Sequence, residues 1–297
     1  MTALNLRQMD EVAEVKVEHL WGPSICKGYL VMIRGDTGVG KTRFCLDLAF
    51  AIASSSKYLR WHCERPTPCY YYDAEVGIGR FKSRYLEAKE RCPVDLKGGD
   101  IHICSFDTCV DASGEPRKRY ITEPEDQRWF DSELARTGAK VFFIDNFLTS
   151  LHFRDGRDNE FSQWPRIQKW FERLRTEGFT VILVHHNNSS GSGYGSMLKR
   201  VILDSEIELK APPATKLTSG AEFEVHFRKA RDFSKADAPP MRVEYIKGED
   251  GLYRWNWGDL HQDIKSRVAK LQALGLNIRE AAKELGMTIS EVYPLWT

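Results

Sequence analysis

A glycine-rich segment near the N-terminus places the tightest constraint on what this chain can fold into. Residues 35–42 read Gly-Asp-Thr-Gly-Val-Gly-Lys-Thr, and only Arg34 separates them from the apolar run at 29–33. This is the pattern G-x-x-x-x-G-K-[ST], in which a buried strand enters a tight loop that opens into a helix. Apolar residues from Phe44 to Ala53 have the spacing of that helix. The chain is therefore predicted to contain a strand–loop–helix unit of the phosphate-binding type.

The positions of this loop have separate roles in holding a triphosphate. Glycines let the backbone turn its N–H groups toward phosphate oxygens, and the helix that opens at Lys41 adds the positive end of its dipole. Lys41 can reach the β- and γ-phosphates, where it is also a catalytic candidate, and the Thr42 hydroxyl can ligate Mg²⁺. The predicted ATP-binding residues are Gly35, Asp36, Thr37, Gly38, Val39, Gly40, Lys41, Thr42 and Arg43.

Apolar runs alternate with helical patterns over the first two thirds of the chain. Strands are predicted at 29–34, 69–73, 101–104, 140–145 and 180–185, and helices at 41–55, 77–91, 124–137 and 160–177. Continuous apolar strands separated by helices indicate a parallel sheet that is covered on both faces. Further runs at 201–209, 222–228, 241–246 and 252–257 have no long helices between them, so they are predicted to be antiparallel strands of the same sheet.

The predicted fold is α/β, with a mainly parallel central sheet, antiparallel C-terminal strands and a small helical C-terminal unit. We expect a lead-in at 1–28 with a short helix around 10–20, a nucleotide-binding domain at 29–258 and a helical unit at 261–297. The polar segment 107–123 is interpreted as an insertion loop, and the Gly/Ser/Asn-rich segment 186–197 is predicted to be mobile.

Composition excludes some classes of protein. The net charge of +1 is too small for a polycation that coats nucleic acid, so DNA binding would need a local basic surface. Seven cysteines occur without a CxxC pair, which indicates reduced thiols, and no apolar run is long enough to span a bilayer. The N-terminus also lacks a signal-peptide pattern, so a cytoplasmic protein without membrane contact is expected.

An acidic residue at a later strand end completes the predicted metal site. An apolar run ends at Asp145, which is the Walker B pattern, so Asp145 is expected to hold Mg²⁺ together with Thr42. The next residue is Asn146 rather than glutamate. The base that activates the attacking water must therefore come from another strand.

We assign that base to Glu75, which lies just past the strand predicted at 69–73. Asp73, at the end of the same strand, is the alternative. His185 and His186 end the strand after Asp145, where a polar side chain could sense the γ-phosphate; an ordinary strand-ending histidine is the other interpretation.

A basic pair ends one of the late strands. Lys229-x-Arg231 cannot easily reach the phosphate loop of its own chain, but it could reach the γ-phosphate of a neighbouring subunit. The alternative interpretation is a solvated basic strand end.

Taken together, these motifs resemble those of RecA-fold P-loop ATPases of the plasmid RepA and DnaB-helicase type, the AAA_25 group, over about residues 15–257. The residues that carry the resemblance, in chain order, are 35–42, Glu75, Asp145, His185, His186, 195–196, Lys229 and Arg231. The resemblance implies hydrolysis of Mg²⁺-ATP by a homo-oligomeric ring or filament, with a hexamer favoured. It also implies contact with DNA, in particular single-stranded DNA, through loops at 147–160 and 187–199.

The chain departs from that family after the double histidine. Family members often carry a basic residue there, whereas this chain has Asn187 and Asn188, and its basic residues Lys199 and Arg200 come later. An ATP-dependent switch that controls a partner without unwinding DNA is therefore kept as the alternative function.

The C-terminal segment 278–293 resembles a helix-turn-helix. Gly286 would make the turn, and the second helix would start near Ser290. That second helix carries no lysine or arginine, and Pro294 follows it closely. The helix is therefore as compatible with a protein contact as with the recognition of DNA bases.

Overall fold

The computed structural model describes residues 5–12, 17–91, 100–111, 113–154, 159–187, 202–212, 220–234 and 236–296. Its helices are α1 (Leu6–Asp10), α2 (Lys41–Ser54), α3 (Ile78–Arg91), α4 (Pro124–Thr137), α5 (Glu160–Thr176), α6 (Leu260–Ala273), α7 (Ile278–Leu285) and α8 (Ile289–Val292). Its strands are β1 (His19–Trp21), β2 (Ile25–Cys26), β3 (Leu30–Gly35), β4 (Lys57–Tyr58), β5 (Trp61–His62), β6 (Cys69–Asp73), β7 (Ile101–Ser105), β8 (Val141–Asp145), β9 (Thr180–His186), β10 (Ser205–Lys210), β11 (Ala221–Ala230), β12 (Met241–Lys247) and β13 (Tyr253–Asp259).

Within the described residues, one nine-stranded sheet organises the molecule. Its strand order is β13-β12-β11-β10-β3-β9-β8-β6-β7. The six strands from β10 to β7 in that order are parallel, and β11, β12 and β13 continue the sheet in antiparallel register. The predicted α/β class with antiparallel C-terminal strands is confirmed.

Helices cover both faces of the parallel half because its strands are apolar on both sides. In β3, Val31 and Ile33 face a core that includes residues of α2, while Leu30 and Met32 face a second core that contains residues of α4 and α5. Alternate residues of a strand point to opposite faces, so a strand without polar interruptions must be covered twice. This three-layer packing brings the C-terminal ends of the parallel strands to one edge.

One predicted strand has a different orientation from the expected one. The run at 201–209 was predicted to belong to the antiparallel set, but β10 lies parallel to β3 and pairs Leu209 with Gly35. Only its other neighbour, β11, is antiparallel. Strand direction depends on which strand is the neighbour, and a local apolar pattern carries no information about that.

The N-terminal prediction was wrong in its details. A helix was expected around 10–20, whereas α1 ends at Asp10 and β1 occupies 19–21; residues 13–16 lie outside the described ranges. The lead-in is also partly core, because Trp21 is fully buried and its ring nitrogen donates to the carbonyl of Tyr58 at 3.0 Å. Its ring packs edge-on against Phe44 of α2.

Part of the segment 107–123 is buried, which its polar sequence did not indicate. Cys109 and Ile121 are buried, and so is Arg119, which pairs with the buried carboxylate of Asp126 at 3.0 Å. The Tyr72 hydroxyl of β6 donates to the Arg119 carbonyl at 2.6 Å. These residues of the segment therefore pack against the sheet.

The C-terminal helices have a small apolar cluster of their own. Val268, Leu285 and Val292 are buried in it together with Leu295. Gly286 ends α7 in the left-handed region at φ 64°, as expected of a turn glycine, and α8 is only four residues long. Across the described ranges, no helix combines the length and the apolar character needed to cross a membrane.

Candidate nucleotide-binding and hydrolysis site

The phosphate loop connects β3 to α2 at the C-terminal edge of the sheet. Gly38 and Gly40 adopt φ of +81° and +112°, a region that L side chains rarely occupy. A Cβ on Gly35 would lie 2.4 Å from the carbonyl oxygen of Leu209, so this position also requires glycine. The loop thus has the backbone freedom needed to direct N–H groups at phosphate oxygens, and α2 begins immediately behind it.

Lys41 lies folded back over this loop. Its ammonium donates to the carbonyls of Gly35 at 2.9 Å and Asp36 at 2.8 Å, and the side chain is largely buried. Burial lowers the pKa of Lys41, and the nearby charges of Asp145 and Glu75 oppose that shift. This ammonium is therefore partly desolvated, which strengthens its attraction for a phosphate anion.

Asp145 ends β8 beside the start of α2. Burial raises the pKa of its carboxyl to about 6, against hydrogen bonds from Tyr71 and Thr42 that lower it. The Tyr71 hydroxyl donates at 2.7 Å. A buried carboxylate next to a threonine hydroxyl is an oxygen-ligand pair that suits Mg²⁺, and a bound cation would remove the cost of burying the negative charge. The two predicted metal ligands are therefore adjacent.

The two candidate bases have very different surroundings. The buried Asp73 carboxylate accepts four hydrogen bonds, from the backbone N–H groups of Glu75, Val76 and Gly77 and from the Ser105 hydroxyl. Glu75 is partly exposed, with 42% of its side-chain surface accessible. Asp73 thus shapes the turn after β6, whereas Glu75 is accessible to water.

Asn146 is a site residue that the sequence did not single out as one. Its side-chain amide nitrogen Nδ2 donates to Glu75 at 2.5 Å. Its side-chain oxygen Oδ1 accepts from the backbone N–H of Thr149 at 2.9 Å. The second bond fixes the orientation of the amide, so the nitrogen faces Glu75. Its position directly after Asp145 was the only signal for it in the sequence.

Lys118 also reaches this region. Its ammonium donates to the carbonyl of Ala74 at 2.9 Å, and burial lowers its pKa against the charges of Asp73 and Glu75. No motif marked this residue, because its position depends on how 107–123 packs against the sheet.

The two histidines at the end of β9 point to opposite faces. His186 Nδ1 lies 3.0 Å from the Lys41 ammonium and 3.3 Å from the Thr37 hydroxyl, while its Nε2 lies 3.5 Å from Glu75. An ammonium has only donors, so the neutral ring accepts at Nδ1 and carries its hydrogen on Nε2, toward Glu75. Burial and the charge of Lys41 lower the pKa of His186, which favours this neutral form.

His185 faces away from the phosphate loop. It is buried, its ring stacks on Phe147 with centroids 5.7 Å apart, and its Nδ1 contacts the carbonyl of His186. Burial lowers its pKa. Of the two predicted sensors, only His186 is placed at the loop.

Three other predicted site residues have side chains that lie away from the phosphate loop. The Arg43 guanidinium pairs with Glu87 at 3.2 Å and lies 5.0 Å from the centre of the Tyr245 ring. Only the backbone of Arg43, in the first turn of α2, therefore remains suited to phosphate binding.

Lys229 and Arg231 also lie outside the site formed by one chain. Lys229 is paired across β10 with Glu206, which in turn pairs with Met32 of β3. Lys229 therefore lies level with Met32, which is three residues before Gly35, or roughly 10 Å along the strand from the start of the phosphate loop. Arg231 follows the end of β11 and lies 3.4 Å from Asp204.

A parallel sheet with a phosphate loop after β3 and acidic residues at the ends of β8 and β6 defines a RecA-fold P-loop ATPase. The family model AAA_25, described as an AAA domain, matches residues 7–192. This is more than half of the chain, and the chain belongs to that family of ATPases.

Solved structures of similar fold agree with this assignment. A KaiC-like protein from the hyperthermophilic archaeon Pyrococcus horikoshii OT3 is 18% identical with a TM-score of 0.50, over 79% of this chain and 93% of that chain. The ATPase domain of G40P is 14% identical with a TM-score of 0.51, over 76% of this chain and 84% of that chain. At these identities the likeness shows the fold. No significant match was found among curated protein sequences.

Proposed function

We propose that this chain is a Mg²⁺-dependent ATP hydrolase that assembles with shared active sites and acts on single-stranded DNA as a helicase-like motor. The observation that carries the ATP hydrolase activity in this proposal is the convergence of Lys41, Thr42, Asp145, Glu75 and His186 at one edge of the sheet. Phosphate binding, metal binding and water activation each have a suitable group there.

The phosphate loop and Lys41 bind the triphosphate, and Thr42 and Asp145 hold Mg²⁺. Bound Mg²⁺ would neutralise negative charge on the phosphate oxygens. Asn146 orients Glu75, which takes the proton of the attacking water. The Asp73 carboxylate accepts the backbone N–H of Glu75, so it positions Glu75 rather than acting as the base.

His186 connects phosphate binding to the end of β9. It accepts from Lys41 on one side and faces Glu75 on the other, so a phosphate that draws Lys41 away changes the hydrogen bonding of His186. The chain continues from His186 through Asn187 into a segment outside the described residues, 188–201. We propose that the loops 147–160 and 187–199 contact DNA; of these, 155–158 and 188–199 lie outside the described residues.

We propose that the chain is divided into a nucleotide-binding domain at 29–258 and a helical unit at 261–297. The separate apolar cluster of the C-terminal helices supports it. Because the four-residue α8 has no basic side chain, we propose a protein partner for this unit rather than a DNA groove.

Single-stranded DNA is expected to raise the steady-state ATP turnover several-fold, because a motor couples hydrolysis to its track. Turnover is measured with and without a single-stranded oligonucleotide, together with strand displacement. Solution mass with a non-hydrolysable ATP analogue should show a homo-oligomer. The opposite result is tight ATP binding while DNA changes neither the turnover nor the solution mass. It would support the ATP-dependent switch and contradict the DNA motor.

Shared active sites predict that two inactive subunit types restore each other. Arg231→Ala lacks the group proposed to act on a neighbouring subunit, and Lys41→Ala lacks the phosphate-binding group, so a mixture contains some complete sites. Turnover of the mixture should exceed the sum of the two pure variants. Arg254→Ala, which removes an exposed arginine paired with Asp250, is the control and should remain active alone. A mixture no more active than its components contradicts action between subunits.

A further inference from the structure

Two thiols meet at the end of the edge strand β7. The Sγ atoms of Cys104 and Cys109 are 2.8 Å apart. Among the described residues, no group of three His, Cys, Asp or Glu side chains could hold a metal ion. The ATPase site described above does not use these thiols either.

The pair borders a cavity of about 530 Å³ that is also lined by Tyr70, Trp129 and Glu133. Cys104 is half-buried and Cys109 is buried beneath it. The other described cysteines, at positions 26, 45, 63 and 69, are all buried. A small oxidant that enters this cavity therefore meets Cys104 before any other described thiol.

The two thiols differ in acidity. The hydrogen bond from Cys109 lowers the pKa of Cys104, and the same contact raises the pKa of Cys109. The thiolate is the nucleophilic form of cysteine, so Cys104 is suited to attack an oxidant and Cys109 to react second.

The thiols are linked to the support of Glu75. The carbonyl of Ser105 accepts from the backbone N–H of Cys109 at 3.2 Å and lies 3.3 Å from the Cys109 sulfur, so the single thiol hydrogen is within reach of both Ser105 and Cys104. The hydroxyl of Ser105 donates to Asp73 at 2.7 Å, and Asp73 accepts the backbone N–H of Glu75. A covalent bond between the sulfurs removes this thiol hydrogen and draws the turn that follows β7 toward Cys104.

We propose that Cys104 and Cys109 form a reversible disulfide on reaction with a hydroperoxide, and that this bond lowers ATP turnover through Ser105 and Asp73. The Cys104 thiolate attacks hydrogen peroxide, the O–O bond breaks, and Cys104 becomes a sulfenic acid; the hydroxide that leaves takes up the proton that Cys104 released on ionising. Cys109 then attacks the sulfenic sulfur, the S–O bond breaks, and the departing oxygen takes the Cys109 proton and leaves as water. Two thiols and one peroxide thus become one disulfide and two waters. The effect on turnover rests on the proposed ATPase function, whereas the disulfide does not.

Peptide mass tests the bond directly. Trypsin releases residues 98–117 as one peptide, in which Cys104 and Cys109 are the only cysteines. Treatment of the folded full-length protein with hydrogen peroxide should make this peptide lighter by about 2 Da, because two hydrogens leave, and dithiothreitol should restore its mass. Cys109→Ser should instead trap the Cys104 sulfenic acid as a dimedone adduct, and Cys104→Ser should give neither product. An unchanged wild-type peptide mass would overturn the proposal.

Turnover tests the coupling. Peroxide should lower wild-type ATP turnover roughly two- to tenfold, as expected when a buried hydrogen-bonded support is disturbed, and dithiothreitol should reverse the loss. Cys104→Ser and Cys109→Ser should keep their turnover after the same peroxide treatment, measured before any reduction. A disulfide that leaves wild-type turnover unchanged would overturn the coupling. If the reduced protein had no turnover at all, the proposed function would fail while the peptide mass still reported the disulfide.

Discussion

Replacing Lys41 with alanine is expected to lower ATP affinity and turnover by about a hundredfold or more. The Lys41 ammonium is the charged donor at the centre of the phosphate loop, held there by the carbonyls of Gly35 and Asp36. Charge-assisted hydrogen bonds to phosphate in a partly desolvated site are worth several kcal/mol in total. Nucleotide binding is measured by calorimetry, and turnover by phosphate release.

Lys57→Ala is the matched control for this change. Lys57 is an exposed lysine in β4 that lies over the ring of Trp257, outside the phosphate loop. Its loss should leave binding and turnover within about twofold, as is usual for surface positions. Thermal unfolding of both variants without nucleotide shows whether the fold persists. Wild-type-like turnover of a folded Lys41→Ala protein would show that the site is elsewhere.

Glu75→Gln is expected to retain ATP binding while losing about two to four orders of magnitude of turnover. A glutamine amide has the shape of the carboxylate and can still accept from Asn146, but it cannot take a proton from water. The change therefore separates binding from hydrolysis. Calorimetry with ATP and single-turnover phosphate release measure the two quantities independently.

Asp73→Asn is the matched contrast at the same turn. Asp73 accepts three backbone N–H groups, so an amide would place a donor against donors and should lower the melting temperature. Glu75 makes no such contacts with the backbone among those described, so Glu75→Gln should leave stability nearly unchanged. If Asp73→Asn stopped hydrolysis at unchanged stability while Glu75→Gln remained active, Asp73 would be the base.

Much of the fold could be predicted because its signals are local. The phosphate loop, the apolar strands and the caps of α4 are each written in a few consecutive residues, and α4 runs from Pro124 to Thr137 as predicted. Proline at its first position and Gly138 after its last explain this agreement. The direction of β10 could not be predicted, because it depends on a neighbour far away in the sequence.

For the candidate site, chemistry could be predicted from residue types, but its geometry could not. Asp145 ends one strand, Glu75 follows another, and Lys41 follows the loop after a third, and any parallel sheet brings these strand ends to one edge. The sequence did not tell which of the two adjacent histidines faces the loop. The face of the sheet to which a side chain points depends on the pleat of the strand and on the residues that pack there. His185 stacks on Phe147, and His186 is left to contact Lys41.

The supporting residues depended entirely on packing between distant segments. Asn146 meets Glu75 from another strand, Lys118 arrives through a segment without a motif, and Cys109 meets Cys104 where a turn closes beside the edge strand. A short run of sequence encodes the torsion angles of its own backbone, and this suffices for a phosphate loop. Contacts between strands form only when burial of apolar surface has brought the strands together. This packing determines which residues contact each functional side chain.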